Sequence, residues 1–229
     1  MSGQRNPEKK HSEASLARKE LKRRRIAILF IQCAEQLLRE EGISGLSTRR
    51  LADAAGYSSA TLYSYFEDLD ELILYASFKY RREYIERVAK ELSEDMTALE
   101  QYRRIYQIFN ACSFRDPKIY MNLYFGKHSS RIQTVIERYY RLFPEELDAP
   151  SGLIRTLLRQ GSRIECDKIT TRRLAEEGVI RPENADRVAE MMVRTQETFV
   201  YDLTVHPDRD PEAQNEAFMK LFDYMIAVS

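Results

Sequence analysis

The stretch "SSATLYSYF", residues 58–66, holds the side chains of this chain best suited to act at a surface. Leu62 and Phe66, four residues apart, turn one apolar face of a short helix inward. That requirement does not explain Tyr63 and Tyr65 beside the stripe, or Ser58, Ser59, Ala60 and Thr61 ahead of it. Small residues let a backbone come close to another surface, and hydroxyls exchange hydrogen bonds with polar edges. A tyrosine adds a phenolic hydroxyl on a stiff ring, able to reach a phosphate while the ring packs elsewhere. Together these types suit contact with nucleic acid. The plainer alternative is a helical hairpin whose tyrosines pack on the helix that follows.

The residues just before supply the second half of the unit. In "LSTRRLADAAGYSSATLYSYF", residues 46–66, Ser47 can cap a first short helix with Leu51 and Ala54–Ala55 facing inward. Ala55-Gly56-Tyr57 makes a tight turn with glycine where the backbone needs a positive φ. Ser58 then caps the second helix. Two short helices joined by three or four residues around a glycine describe a helix-turn-helix, whose second helix enters the major groove by its leading residues.

The wider chain predicts an all-α fold. Periodic segments give helices at roughly 14–41, 47–54, 58–65, 69–93, 97–113, 117–126, 128–142, 151–177, 183–205 and 211–227, with no alternating strand pattern and no internal repeat. Ile26, Phe30, Cys33 and Leu37 step along the first, and Gly42 stops it. Asp68-Leu69-Asp70-Glu71 is a near relative of the capping box. Asp116-Pro117 and Asp210-Pro211 open helices, and Gly178 closes one. Residues 1–12 are polar and aperiodic and read as a disordered arm. The domains expected are therefore this arm, a helix-turn-helix domain at 13–68, and a larger helical domain at 69–229.

Charge is balanced overall, at 36 Lys and Arg against 36 Asp and Glu, but unevenly placed. Residues 1–66 hold 12 of the basic residues and 7 of the acidic ones, leaving the remainder net acidic. A basic third on an acidic body suits a polyanionic partner, with a merely solvated face as the bland reading. Three scattered cysteines, Cys33, Cys112 and Cys166, suggest neither disulfide framework nor zinc site. The longest apolar run, Ile26–Ile31, is too short for a membrane span, so a soluble cytoplasmic protein is expected.

Residues 23–75 resemble the DNA-binding domain of the TetR family of bacterial transcriptional regulators. The likeness rests on "EEGISGLSTRRLADAAG" followed by "YSSATLYSYFEDLDELI", with Tyr63-Ser64-Tyr65-Phe66 the most recognisable run. The resemblance implies that Ser59, Ala60 and Thr61, led in by Ser58, lie at the base-facing start of a recognition helix. It places Tyr63 and Tyr65 on phosphates, Ser47 or Thr48 on the duplex backbone, and Arg49 where some members read a guanine edge. It also implies a departure: Leu69 stands where the family commonly has a phosphate-binding lysine. Arg23, Arg24 and Arg25 can supply charge in compensation, and Arg25 is counted with the DNA-binding set.

The same resemblance implies a ligand-responsive homodimer, most simply a repressor released from a palindromic operator by a small molecule that shifts the helix at 69–93. A DNA-binding activator, or a helical interaction protein of the same fold, is the alternative. Val188, Met192, Thr195 and Phe199 form one stripe and Phe218, Leu221, Phe222 and Met225 another, suited to a four-helix dimer interface or else to the protomer's own core. Tyr106, Phe109, Phe125 and His128 are the candidates for lining an effector pocket. Arg163, Glu165 and Asp167, near Cys166, can bind polar ligand groups, but a charged exposed face is the preferred reading. Catalysis is not expected: the only Glu-x-x-His spacing is Glu8…His11 in the arm, no glycine loop suits a phosphate, and neither metal nor cofactor is indicated.

Overall fold

The computed structural model describes residues 7–93, 95–147 and 159–229. Every regular element among them is helical, and no helix is long and apolar enough to cross a membrane. The chain divides into two compact units, one ending at Ala76 and one beginning at Ser77.

The first unit has four α-helices: α1 (Pro7–Glu41), α2 (Thr48–Ala55), α3 (Ser59–Tyr63) and α4 (Leu69–Ala76). Helix α1 begins at Pro7, so residues 7–12 are helical rather than part of an arm; residues 1–6 lie outside the described set. Its buried stripe is Ile26, Phe30, Ala34 and Leu38, with Ala27 and Ile31 beside it. Cys33 and Leu37, expected in that stripe, are only half-buried. Helix α4 packs on α1 and buries Leu72, Ile73, Tyr75 and Ala76, which carries the unit past the boundary expected at residue 68. At its start, Asp68 Oδ1 accepts from the Glu71 N–H at 2.8 Å, and Glu71 Oε2 accepts from the Glu67 N–H at 2.6 Å.

The second unit holds α5 (Phe78–Glu91), α6 (Ala98–Arg115), α7 (Pro117–Tyr120, continuing into a wide turn over Met121–Phe125), α8 (Ile132–Leu142), α9 (Arg163–Glu176), α10 (Ala185–Val205) and α11 (Pro211–Ala227). The single helix expected at 69–93 is thus two. At Ser77 ψ is −9°, far from the helical value near −42°, and the turn tightens there, with Tyr80 N–H bonding Ser77 O at 3.0 Å. Helix α6 opens with a reciprocal capping box between Thr97 and Glu100.

Of the helix expected at 151–177, residues 151–158 lie outside the described set, and the chain is not helical at 160–162. There the Gly161 N–H donates to Gln133 Oε1 at 3.1 Å. A Cβ there would sit 2.8 Å from Ile132 Cγ2 and 3.0 Å from the Gln133 backbone nitrogen, so only glycine lets the chain pass α8 this closely. Ser162 then caps α9 by accepting from the Glu165 N–H.

The core of this unit joins α6, α9, α10 and α11. Tyr106 stacks on Phe218 with ring centroids 5.3 Å apart, and Tyr102 meets Phe222 at 5.2 Å. Val188, Met192, Phe218, Phe222 and Met225, all expected at a subunit interface, are buried here among their own protomer's side chains. Of the remaining three, Leu221 is exposed and Thr195 and Phe199 are half-buried.

A buried polar chain runs through the same core. Arg163 pairs with Asp167 at 3.1 Å, one turn apart on α9. Asp167 also accepts from the Tyr102 hydroxyl at 2.5 Å and the Tyr106 hydroxyl at 3.0 Å. Burial, reinforced by the neighbouring carboxylate, holds both phenols well above the usual tyrosine range, so they remain donors. Arg163 reaches Gln196, which donates to Asn110, which donates to Asn215 on α11. Arg163 and Asp167 are therefore interior rather than surface residues; only Glu165 is exposed. Removing one member leaves its partner charged and desolvated, so Asp167→Ala is expected to lower unfolding stability by ~3–5 kcal/mol, measured as a fall in urea midpoint.

Candidate nucleic-acid interface

The geometry around α3 follows from three local devices. Ser47 Oγ accepts from the Arg50 N–H at 3.3 Å and fixes the start of α2. Gly56 has φ of +71°, and the Tyr57 N–H closes on Ala52 O at 2.9 Å, the paired left-handed termination that ends α2 sharply. Ser58 Oγ accepts from the Thr61 N–H at 3.2 Å and starts α3 two residues later. Leu51, Ala52 and Ala55 face inward from α2, whereas Ala54, expected inward, is exposed. The 100° step per residue accounts for this: Leu51, Ala55 and Ala52 fill an arc of about 100°, and Ala54 falls about 60° outside it, on the far side of Leu51.

Leu62 of α3, and Phe66 three residues past its end, are sealed inside. Phe66 meets Phe30 edge-on at 6.4 Å and Tyr75 at 5.5 Å. The outer side of the helix presents Ala60 and Tyr63 fully, with Ser59 and Thr61 half-buried and Ser58 exposed at its lead. Tyr63 is 53% exposed, and its hydroxyl lies 3.2 Å from Thr48 Oγ1, so the two hydroxyls span α2 and α3. Tyr65 is half-buried: its ring packs 6.3 Å from Phe30 on one side and lies under the Arg23 guanidinium at 5.7 Å on the other. It is part core and part surface, less open than the sequence suggests.

The basic residues sort into two kinds. Arg49 has a side chain 91% exposed and only a loose 3.9 Å approach to Asp53, so its guanidinium is available to a partner. Arg50 is committed: it pairs with Glu41 through both terminal nitrogens and donates to Gly45 O at 2.7 Å, which locks the end of α1 to α2. That hydrogen bond holds the Glu41 carboxyl below the usual glutamate range. Nothing in the sequence reading singled out Arg50 or Glu41, and their nine-residue separation across a loop gives no local signal. Arg25 is exposed on α1. Arg23 donates to Ser64 O at 3.4 Å, tying α1 to the end of α3. Leu69 is half-buried and contributes no charge at the start of α4.

The four residues expected around an effector are not brought together. Phe125 borders a cavity of about 240 Å³ shared with Tyr124, Ile132, Arg163, Val193 and Arg194. Tyr106 and Phe109 lie behind it, fully buried, each under the Arg163 guanidinium at 5.0 and 4.7 Å. His128 is buried, with Nδ1 2.8 Å from the Arg131 guanidinium, and does not border the cavity. Residue type alone could not distinguish an aromatic that lines a cavity from one that supports its wall.

Comparison with known proteins places these observations. Residues 30–76 match the model of bacterial regulatory proteins of the tetR family. An uncharacterized HTH-type transcriptional regulator of Haemophilus influenzae is 26% identical over 98 residues, covering 43% of this chain. The chain spans about half the length of that relative, at 52%. Among solved structures, the fold is similar to that of Thermus thermophilus FadR, a TetR-family transcriptional repressor in complex with lauroyl-CoA. The TM-score is 0.56 at 15% identity, over 85% of this chain and 92% of that one. A putative TetR-family transcriptional regulator from Syntrophomonas wolfei gives a TM-score of 0.54 at 14% identity, over 91% and 96%.

Because Gly56 occupies the left-handed region with open space about its Cα, only backbone strain opposes a side chain there. Gly56→Ala is expected to cost ~1–2 kcal/mol in thermal or urea unfolding.

Proposed function

We propose that this chain, whose N-terminal unit belongs to the tetR family of bacterial regulatory proteins, is a ligand-responsive DNA-binding transcriptional regulator. In this reading it represses from a palindromic operator and is released by a small molecule. The observation that carries the proposal is the outer face of α3. Ala60 and Tyr63 stand exposed on a helix whose other side is sealed, with Arg49 extended from α2. Small residues at the front admit close approach to base edges, Tyr63 and Thr48 offer hydroxyls to phosphates, and Arg49 suits a bidentate guanine contact.

One such unit reads few base pairs, so a two-fold pair with recognition helices about 34–36 Å apart is required for a unique site. The surface offered for pairing is the outward side of α10 and α11. Met191, Thr198 and Val205 run along one helix and Ala217, Leu221 and Tyr224 along the other, all exposed. Met191 is 50% and Tyr224 65% exposed. This stripe lies beside the buried one; on α10 the exposed Arg187 and Arg194 interrupt it, whereas on α11 it is continuous. The effector's place in this reading is the cavity beside Phe125, where Tyr124, Ile132, Ile164 and Val193 are matched by a polar lining of serines, Arg163, Arg194 and Glu197, which suits a ligand with polar or charged groups. An effector acts only by binding the released form better than the DNA-bound form.

The direct test is selection of bound fragments from random duplex by the purified protein, followed by titration of candidate effectors on the selected sequence. Recovery of a palindrome supports the reading; failure to retain any duplex at low ionic strength contradicts it. On the recovered site, Arg49→Ala is expected to remove ~1–3 kcal/mol of discrimination against a single base change. Tyr63→Phe should weaken selected and scrambled duplexes alike, and anisotropy titrations on both separate the two effects. The double variant Leu221→Asp, Tyr224→Asp is expected to sediment as a monomer with its helix content retained, and to lose binding to the full palindrome.

A further inference from the structure

Helix α1 carries a long exposed and strongly basic segment ahead of its buried stripe. From Ser15 to Arg25 every residue is exposed, on all sides of the helix. Within residues 18–25, Arg18, Lys19, Lys22, Arg23, Arg24 and Arg25 meet a single acid, Glu20. A helix that is polar all round gains nothing from its own core, so its composition answers to something outside it. Its position relative to the candidate DNA surface is fixed by Arg23. That guanidinium donates to Ser64 O and covers the Tyr65 ring, so the basic run begins beside the end of α3. Lys19 lies one turn further out on the same side, about 6 Å along the axis, and Arg18, Lys22 and Arg25 form a second row about a third of the way round the helix.

We infer that residues 18–25 of α1 are a second DNA contact, which follows the phosphates outward from the groove entered by α3 and adds affinity without sequence preference. The inference rests on the DNA-binding reading above. Charge complementarity selects the occupant, because duplex DNA carries one negative charge per ~1.7 Å of axis. A lipid surface or a second copy of the helix would need an apolar stripe. The exposed apolar residues here, Leu16 and Leu21, are five positions apart and point some 140° away from one another, so they form none. The added cations also account for how phosphate affinity is maintained with Leu69 at the start of α4.

The test uses the full chain and a random-sequence duplex of about 40 base pairs, with affinity followed against potassium chloride concentration. The variant Arg18→Gln, Lys19→Gln, Lys22→Gln, Arg24→Gln keeps Arg23 and Arg25, and glutamine preserves helix propensity. Its slope of log K on log salt is expected to be shallower by about 0.9 for each phosphate given up, about 2 to 4 in total. Its relative preference for selected over random duplex should not change. The conservative swap Arg18→Lys, Lys19→Arg, Lys22→Arg, Arg24→Lys should retain the parent slope, which separates lost charge from lost structure. An unchanged slope in the glutamine variant overturns the inference while leaving the helix-turn-helix reading intact, and so does a change in its sedimentation at unchanged slope. If the parent chain binds no duplex at all, both readings fall together.

Discussion

A five-residue helix makes too few backbone hydrogen bonds to hold itself in water, because nucleation alone exceeds what it recovers. Helix α3 exists because Leu62 and Phe66 are locked into the interior, with Phe66 set edge-on between Phe30 of α1 and Tyr75 of α4. That single constraint orders the rest of the first unit. It fixes the rotation of α3, so Ala60 and Tyr63 can only point outward. It also makes α4 part of this unit, since Tyr75 forms one wall of the Phe66 site. The caps at Ser47 and Ser58 and the left-handed Gly56 then set where each helix begins and ends, each contributing ~1–2 kcal/mol.

How much of this was readable from the sequence depends on how local the signals are. Caps, the glycine turn and the spacing of Leu62 and Phe66 lie within a few residues, and they located α2 and α3 to within two residues. The stripe expected on α1 holds at Ile26 and Phe30 but runs one residue out of phase at Cys33 and Leu37, because apolar residues stand on both sides of the true line through Ala34 and Leu38. The break at Ser77 has neither proline nor glycine to announce it. The interruption before α9 does carry a glycine, but what that glycine packs against, Ile132 and Gln133, lies nearly thirty residues earlier in the chain.

The second unit was harder for a different reason. Helices α10 and α11 carry apolar residues on two sides, and periodicity cannot say which side meets the protomer and which remains open. Val188, Met192, Phe218 and Phe222 turned inward, while Met191, Leu221 and Tyr224 turned out. Arg163 and Asp167 were misplaced because charged residues are seldom interior unless paired. The available hint was the i, i+4 spacing of opposite charges on α9. It became meaningful only once Tyr102 and Tyr106, also four apart on α6, were seen to supply their hydroxyls to the same carboxylate.

The adjacent arginines of α2 divide their labour completely. Arg50 is spent on Glu41 and Gly45 and belongs to the frame, whereas Arg49 is left extended into solvent. Two consecutive side chains thus differ in what they can tolerate: positions 49 and 60 can change by drift or by design without disturbing the turn that presents them, whereas position 50 cannot.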